Sequence, residues 1–167
     1  MRALHGIDPV FDQNSRVLIL GSFPSVKSRE SGFFYGHPQN RFWKTLAAVL
    51  QKEVPGTVEE KKAFLLTNRI ALWDVIAACE IEGSSDSSIR EVIPNDVERI
   101  LREAPIEGIF TNGTTAYRLY CRYLQERTGR EAISLPSTSP ANAAWGQERL
   151  TKAWQCILSA IPSKTKK

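Results

Sequence analysis

A chain of 167 residues, 42% hydrophobic and 24% charged, is long enough to bury one sizeable core and reads as a single domain spanning 1–167. Its formal net charge of +4 is compatible with an anionic partner, but a charge this small is more often just that of a solvated surface. Cys79, Cys121 and Cys156 are widely spaced and odd in number, which argues against a disulfide framework, a zinc site or an iron–sulfur cluster and points to a reducing cytoplasm. No signal peptide is visible and no apolar run is long enough to span a bilayer, so a soluble protein is expected.

Residues before Arg16 read as a lead-in loop that carries Ile7, Val10 and Phe11 against the body. The run Val17 to Leu20 has the length and composition of a buried parallel strand. It ends at Gly21-Ser22-Phe23-Pro24-Ser25, because Pro24 has no amide to give a ladder. A polar and aromatic loop with Phe33, Phe34, Tyr35, His37 and Asn40 follows, then a helix with Phe42, Trp43, Leu46, Ala47 and Leu50 on one face. Val58 to Thr67 reads as a short helix with Ala63, Leu65 and Leu66 inward and Glu59 to Lys62 solvated. Ile70 to Ile76 is a second buried strand or strand end.

Ala77 to Pro94 is polar and small, with Gly83-Ser84-Ser85-Asp86-Ser87-Ser88 at its centre, and reads as a long loop. Asn95 has the look of a helix cap with Glu98 as its capping-box partner. Gly108 to Thr111 is a third strand closed by Asn112-Gly113, Thr114 to Leu124 a helix, and Glu131 to Leu135 a fourth strand that breaks at Pro136. A last helix from near Asn142 buries Leu150, Trp154, Ile157 and Ile161 and ends in a frayed lysine-rich tail from Ser163.

This alternation predicts an α/β fold, a three-layer α/β/α arrangement around a central four-stranded parallel sheet. Right-handed crossovers then gather the loops Gly21 to Asn40, Ala77 to Ser88, Asn112-Gly113 and Pro136 to Asn142 on one rim, where open α/β sheets bind ligands. The chain lacks a metal cluster, a Gly-x-Gly-x-x-Gly loop, a Walker loop and a Gly-x-Ser-x-Gly elbow. His5 and His37 are its histidines; a Ser-His-Asp hydrolase would have to use His37, and no well-placed acid is evident. The rim instead offers serines, prolines, aromatics and amides, which suit phosphate contacts and base stacking.

Three stretches carry a family likeness: Gly21-Ser22-Phe23-Pro24-Ser25, Tyr35-Gly36-His37-Pro38-Gln39-Asn40-Arg41-Phe42-Trp43 and Leu135-Pro136-Ser137-Thr138-Ser139-Pro140-Ala141-Asn142. They resemble the signature motifs of the uracil-DNA glycosylase superfamily, in its mismatch-specific and hypoxanthine-DNA glycosylase branch. Leu72-Trp73-Asp74-Val75 and the Gly83-Ser84-Ser85-Asp86 loop extend the similarity over nearly the whole chain.

The resemblance implies a monofunctional glycosylase without a cofactor, acting on DNA that contains a damaged base. Such an enzyme flips hypoxanthine or uracil out of the duplex and hydrolyses its N-glycosidic bond. Relatives carry Asp or Asn two residues after the first-motif glycine, where this chain has Phe23. The resemblance therefore makes Asn40 the water-positioning residue, and Asn40 read alone is a helix cap. It also implies base contacts from Gly21, Ser22, Phe23 and Tyr35 and DNA contacts from Pro24, Ser25, Ser137, Thr138, Ser139 and Pro140. The relatives' second-motif histidine is replaced by Leu135, and His37 reads as packing beside Tyr35. Asp74 is a reserve for a charged role, otherwise satisfied by backbone amides. A monomer in the cytoplasm, associated with the nucleoid, is expected. Two alternatives stand beside the glycosylase: a noncatalytic DNA-binding module of the same fold, and a nucleoside or nucleotide hydrolase.

Overall fold

The computed structural model describes residues 2–82 and 85–162. Its centre is a four-stranded parallel sheet in the order β3-β2-β6-β7, formed by β2 (Val17–Gly21), β3 (Ile70–Asp74), β6 (Gly108–Asn112) and β7 (Ile133–Leu135). β2 and β3 are buried along their whole length, as their unbroken apolar runs require of strands covered on both faces.

β2 is followed by α1 (Val26–Ser31), α2 (Phe42–Leu50) and α3 (Val58–Thr67) before the chain pairs to one side in β3. α4 (Glu98–Glu103) precedes β6, and α5 (Thr114–Tyr123) with α6 (Gln125–Thr128) precedes β7, both crossings running the other way along the sheet. With right-handed crossovers, these opposite directions put α2 and α3 on one face and α4 and α5 on the other. α7 (Gln147–Trp154) packs on α2. The directions diverge between β2 and β6, so the crevice at their carboxyl ends is the place for a ligand. This is the expected three-layer α/β/α fold.

A second sheet was not expected. β1 (Arg2–Leu4), β4 (Ile76–Glu80) and β5 (Arg90–Pro94) pair antiparallel in the order β1-β4-β5. The run Ile70 to Ile76 is thus shared between two strands, and about half of Ala77 to Pro94 is sheet rather than loop. β1 and β5 are edge strands, and alternation in them is masked because each is mostly exposed or half-exposed. A 3₁₀ turn at Asp86–Ser88 joins the hairpin, while Gly83 and Ser84 lie outside the described residues, as does the tail from Ser163.

Three local expectations are also corrected. Asn95 is no helix cap: it faces inward, where its carboxamide donates to the carbonyls of Asp74 (2.9 Å) and Ile76 (3.1 Å). α7 starts at Gln147, not near Asn142, because the Asn142 side chain turns back to Ser137 O at 3.0 Å and holds a loop open before the helix. Ala63 of α3 is exposed, and Leu65 carries that helix's burial with help from Phe64 and Leu66. α3 itself begins with a complete capping box between Thr57 and Glu60.

Candidate active site

A cavity of about 360 Å³ opens at the carboxyl ends of β2, β3 and β6, within the size range of small-molecule sites. The loop after β2 supplies Gly21, Ser22, Phe23, Pro24, Ser25, Tyr35 and Asn40 to its wall. The loop after β7 supplies Ser137, Thr138, Ser139 and Pro140. Every residue that the motifs single out as a site candidate therefore borders one space. Asp74 and Asn112, from the ends of β3 and β6, complete the floor, with Phe34 and His37 at the side.

Asn40 sits at the entry to α2, and its Oδ1 accepts from the Phe42 N–H at 2.9 Å and from the Thr138 hydroxyl at 2.8 Å. Both lone pairs are thereby occupied, which fixes the amide orientation. Its Nδ2 makes no hydrogen bond to the described residues. The cap reading and an active-site reading of Asn40 are therefore compatible, since one end of the amide serves the helix and the other remains for a ligand.

Thr138 is fully buried. Its hydroxyl accepts from Asn112 Nδ2 at 3.0 Å while donating to Asn40, and its backbone N–H donates to Asn112 Oδ1 at 3.0 Å. Both donors of Thr138, its N–H and its hydroxyl, are thus committed within the protein. Asn112 also donates to the Tyr35 hydroxyl at 3.1 Å. One continuous chain of hydrogen bonds so runs from Tyr35 through Asn112 and Thr138 to Asn40.

Tyr35 adopts a left-handed backbone (φ 53°), and its ring stacks on Phe42 with centroids 4.1 Å apart. Phe42 is wholly buried and edge-on to Trp43 and Trp154, so the tyrosine rests on a rigid aromatic base. His37 does not share that stack. Its Nδ1 accepts from the Gln39 N–H at 3.1 Å.

Gly21 ends β2 where a side chain has no room, since a Cβ there would collide with Asp74 Oδ1 and lie 2.9 Å from the Tyr35 hydroxyl. The carbonyls of Gly21 and Ser22 accept from Val75 N–H (2.8 Å) and Ile76 N–H (3.1 Å), which ties this turn to the end of β3. Phe23 N–H makes no hydrogen bond among the described residues and remains available.

The serines shape the walls. Ser25 caps α1, accepting from Ser28 N–H at 3.1 Å, and Ser28 Oγ in turn accepts from Gly36 N–H at 2.9 Å. Ser137 Oγ accepts from Ser139 N–H and Ser139 Oγ from Ala141 N–H, each at 3.1 Å. The guanidinium of Arg41 donates to Trp145 O, to Ser139 O (3.3 Å) and to Asn142 O (3.2 Å), clamping that loop onto the start of α2.

Asp74 is not satisfied by backbone amides as expected. Its Oδ2 pairs with His5 Nε2 at 2.8 Å, both side chains being about 95% buried. His5 Nδ1 accepts from Ile7 N–H at 3.1 Å, so the proton lies on Nε2 and the imidazole donates to the carboxylate. Phe23, Phe34 and Trp73 surround the imidazole.

Asn112, Arg41 and His5 are the functional-site residues that sequence reasoning did not single out. Asn112 carried a usable signal, an amide at the end of a parallel strand just before a glycine. Arg41 lay within a quoted motif, but the carbonyls it grips are about a hundred residues away. His5 gave no signal, because its partner Asp74 lies 69 residues on and meets it only through the second sheet. In the described part of the serine-rich hairpin, Ser85 and Ser88 bond within their own turn.

Comparison with known proteins agrees with this geometry. The family model of the uracil DNA glycosylase superfamily matches residues 9–158. A hypoxanthine DNA glycosylase of Methanosarcina acetivorans is 35% identical over 154 residues, covering 91% of this chain and 96% of that protein. A protein of the same name from Methanosarcina barkeri is 35% identical over 141 residues, covering 82% and 87%. The solution NMR structure of a candidate uracil DNA glycosylase from Methanosarcina acetivorans superposes with a TM-score of 0.78 at 32% identity, covering 95% of this chain and 99% of that one. The resemblance read from the three motifs is borne out, and the chain belongs to the uracil DNA glycosylase superfamily.

Proposed function

We propose that this protein is a monofunctional DNA glycosylase that takes a deaminated base, hypoxanthine foremost, into the cavity and hydrolyses its N-glycosidic bond. The observation that carries the reading is the cavity itself: its amide Asn40, its stacked Tyr35 and its strand-end polar groups are held by both motif loops. Two relatives at 35% identity bear the name hypoxanthine DNA glycosylase, which supports that base above uracil.

In this reading the nucleotide is extruded from the duplex because the bond to be broken is inaccessible in the stack. Tyr35, backed by Phe42, stacks on the base. The C1′–N bond breaks with its electron pair leaving on the base, and the sugar gains oxocarbenium character. Asn40 Nδ2 holds a water by donating to its oxygen, leaving a lone pair that forms the new bond to C1′, while the proton the water sheds passes through solvent to the departing anionic base. The N–H of Phe23 is the donor for charge that develops on the base. Pro24 and Ser25 on one wall and Ser137, Ser139 and Pro140 on the other meet the strand around the lesion. The reading is completed by a monomer that works at the nucleoid, where its DNA substrate lies.

The test is single-turnover incubation with oligonucleotides carrying hypoxanthine, uracil or xanthine, followed by alkali to cut abasic sites. Release of hypoxanthine is the expected result. Salt-sensitive DNA binding without release of any base would leave a binding module, and release from free nucleosides alone would leave a nucleoside hydrolase.

A further inference from the structure

His37 borders the cavity, yet no step of base release uses it. The protein nonetheless pins it in place. Its carbonyl accepts from Asn40 N–H at 3.0 Å and its Nδ1 from Gln39 N–H at 3.1 Å, so residues 37–40 form one closed turn. The preceding Gly36 N–H donates to Ser28 Oγ at 2.9 Å, which anchors that turn on α1. An Nδ1 that accepts leaves the ring proton on Nε2. Nε2–H makes no hydrogen bond to the described residues, so the half-buried ring presents a fixed donor with nothing to donate to.

Charge narrows what that donor meets. Among the described residues that border the cavity, none is a lysine or arginine, and the one carboxylate, Asp74, pairs with His5. His37 is therefore the side chain of that wall able to carry positive charge. Its neighbours Gly36, Pro38 and Gln39 are exposed, which puts the turn on the outer side of the cavity rather than on the floor made by the strand ends. Extruding a nucleotide draws its two flanking phosphates to that outer side, and phosphate oxygens are the acceptors through which a protein fixes a strand in register.

We infer that His37 Nε2–H donates to a phosphate flanking the flipped nucleotide and that the turn 37–40 thereby registers C1′ against the water held by Asn40. The two groups share one hydrogen-bonded turn, so a strand gripped at the imidazole has its sugar set at a fixed distance from the amide. This rests on the glycosylase reading above but concerns the placing of the strand rather than the breaking of the bond.

The experiment is a cycle between protein and DNA. Duplexes carry 2′-fluoro-stabilised deoxyinosine with an uncharged methylphosphonate in place of its 5′ or its 3′ phosphate, and binding is compared with the all-phosphate duplex. At one of the two positions the replacement should weaken wild type by about tenfold or more. His37→Asn keeps the turn, because its Oδ1 stands where Nδ1 stands, but its NH₂ stops short of the place of Nε2. It should bind the all-phosphate duplex about tenfold more weakly and lose less than about twofold on the replacement. His37→Gln, whose NH₂ reaches as far as Nε2, should recover part of the sensitivity.

A replacement that costs wild type and His37→Asn the same factor would overturn the inference, as would a wild type indifferent to both replacements. Unchanged binding in His37→Asn, with slower base release from unmodified deoxyinosine at saturating enzyme, would overturn it in favour of a role at the departing base. If His37→Asn does not fold, His37→Ala is put through the same cycle and judged by the same factor. Failure of wild type to release any base would sink the glycosylase reading, while the cycle, read on a duplex that is not cleaved, would still decide the phosphate contact.

Discussion

Asn40 Oδ1 and Thr138 Oγ1 are hydrogen-bonded at 2.8 Å across 98 residues of chain, tying the loop after β2 to the loop after β7. The backbone repeats the link next door, where Arg41 N–H donates to Thr138 O at 3.0 Å. Two motifs far apart in sequence thus form one rigid wall, and the free end of the Asn40 amide is aimed by a residue from the other motif. An active site built on backbone-anchored side chains of this kind is preorganised before substrate arrives.

Asn40→Ala removes the water-positioning donor and a cap from α2. Base release is expected to fall about a hundredfold or more, with the affinity for lesion DNA little changed and a stability cost of about 1 kcal/mol. Single-turnover rates, gel-shift titration and thermal melting separate the three quantities. Binding lost in proportion to activity would assign Asn40 to the helix alone.

Thr138→Val keeps the shape of a buried side chain while deleting the donor to Asn40 and the acceptor for Asn112. Each amide loses one of its two bonds there, Asn40 Oδ1 keeping Phe42 N–H and Asn112 Nδ2 keeping the Tyr35 hydroxyl, which should cost about 1–3 kcal/mol and lower the rate by about tenfold. Thr138→Ser keeps the hydroxyl and should restore most of the rate. Denaturant melts run beside saturating-enzyme kinetics on both variants check this, and equal rates in Val and Ser would dismiss the role.

The central sheet was legible because β2 and β3 are buried on both faces and write themselves as apolar runs such as Val17 to Leu20. α3 was legible to the residue, since Thr57 and Glu60 mark its start. The second sheet was hidden because an edge strand such as Arg90–Pro94 faces water along much of its length and its polar composition imitates a loop. Asn95 misled for a related reason: an amide before a helix has the same sequence signature whether it caps the helix or, as here, fills two buried carbonyls. The loops around the cavity were readable from the alternation of strands and helices, and the residues on them from the resemblance of the three motif stretches to the superfamily. The connections among them were not, since Tyr35–Asn112 and His5–Asp74 are contacts that only the folded sheets create.

Gly21→Ala tests the crowding at the end of β2. Its methyl would collide with Asp74 Oδ1 and press on the Tyr35 hydroxyl, two groups fixed by His5 and Asn112. Overpacking of this sort costs about 1–3 kcal/mol and closes the floor of the cavity. Base release should drop more than tenfold, and affinity for abasic DNA should be largely kept. A variant as active as wild type would show that the carboxylate can move aside and that the floor is not rigid.

Arg41→Lys probes the clamp on the loop after β7. The guanidinium meets the carbonyls of Ser139, Asn142 and Trp145 together, and an ammonium on a flexible stem cannot reproduce that fork. The lost contacts loosen the segment 139–145, which includes wall residues Ser139 and Pro140. Affinity for lesion DNA should therefore weaken by about tenfold, while the rate at saturating enzyme stays within about threefold, because Arg41 N–H still bonds Thr138 O and Asn40 keeps its place. Amide hydrogen exchange over 139–145 should speed up without a matching change in β2 or β6. If saturating enzyme instead failed to restore the rate, Arg41 would be acting on Asn40 itself, and the loop and the water-positioning amide would have to be treated as one unit.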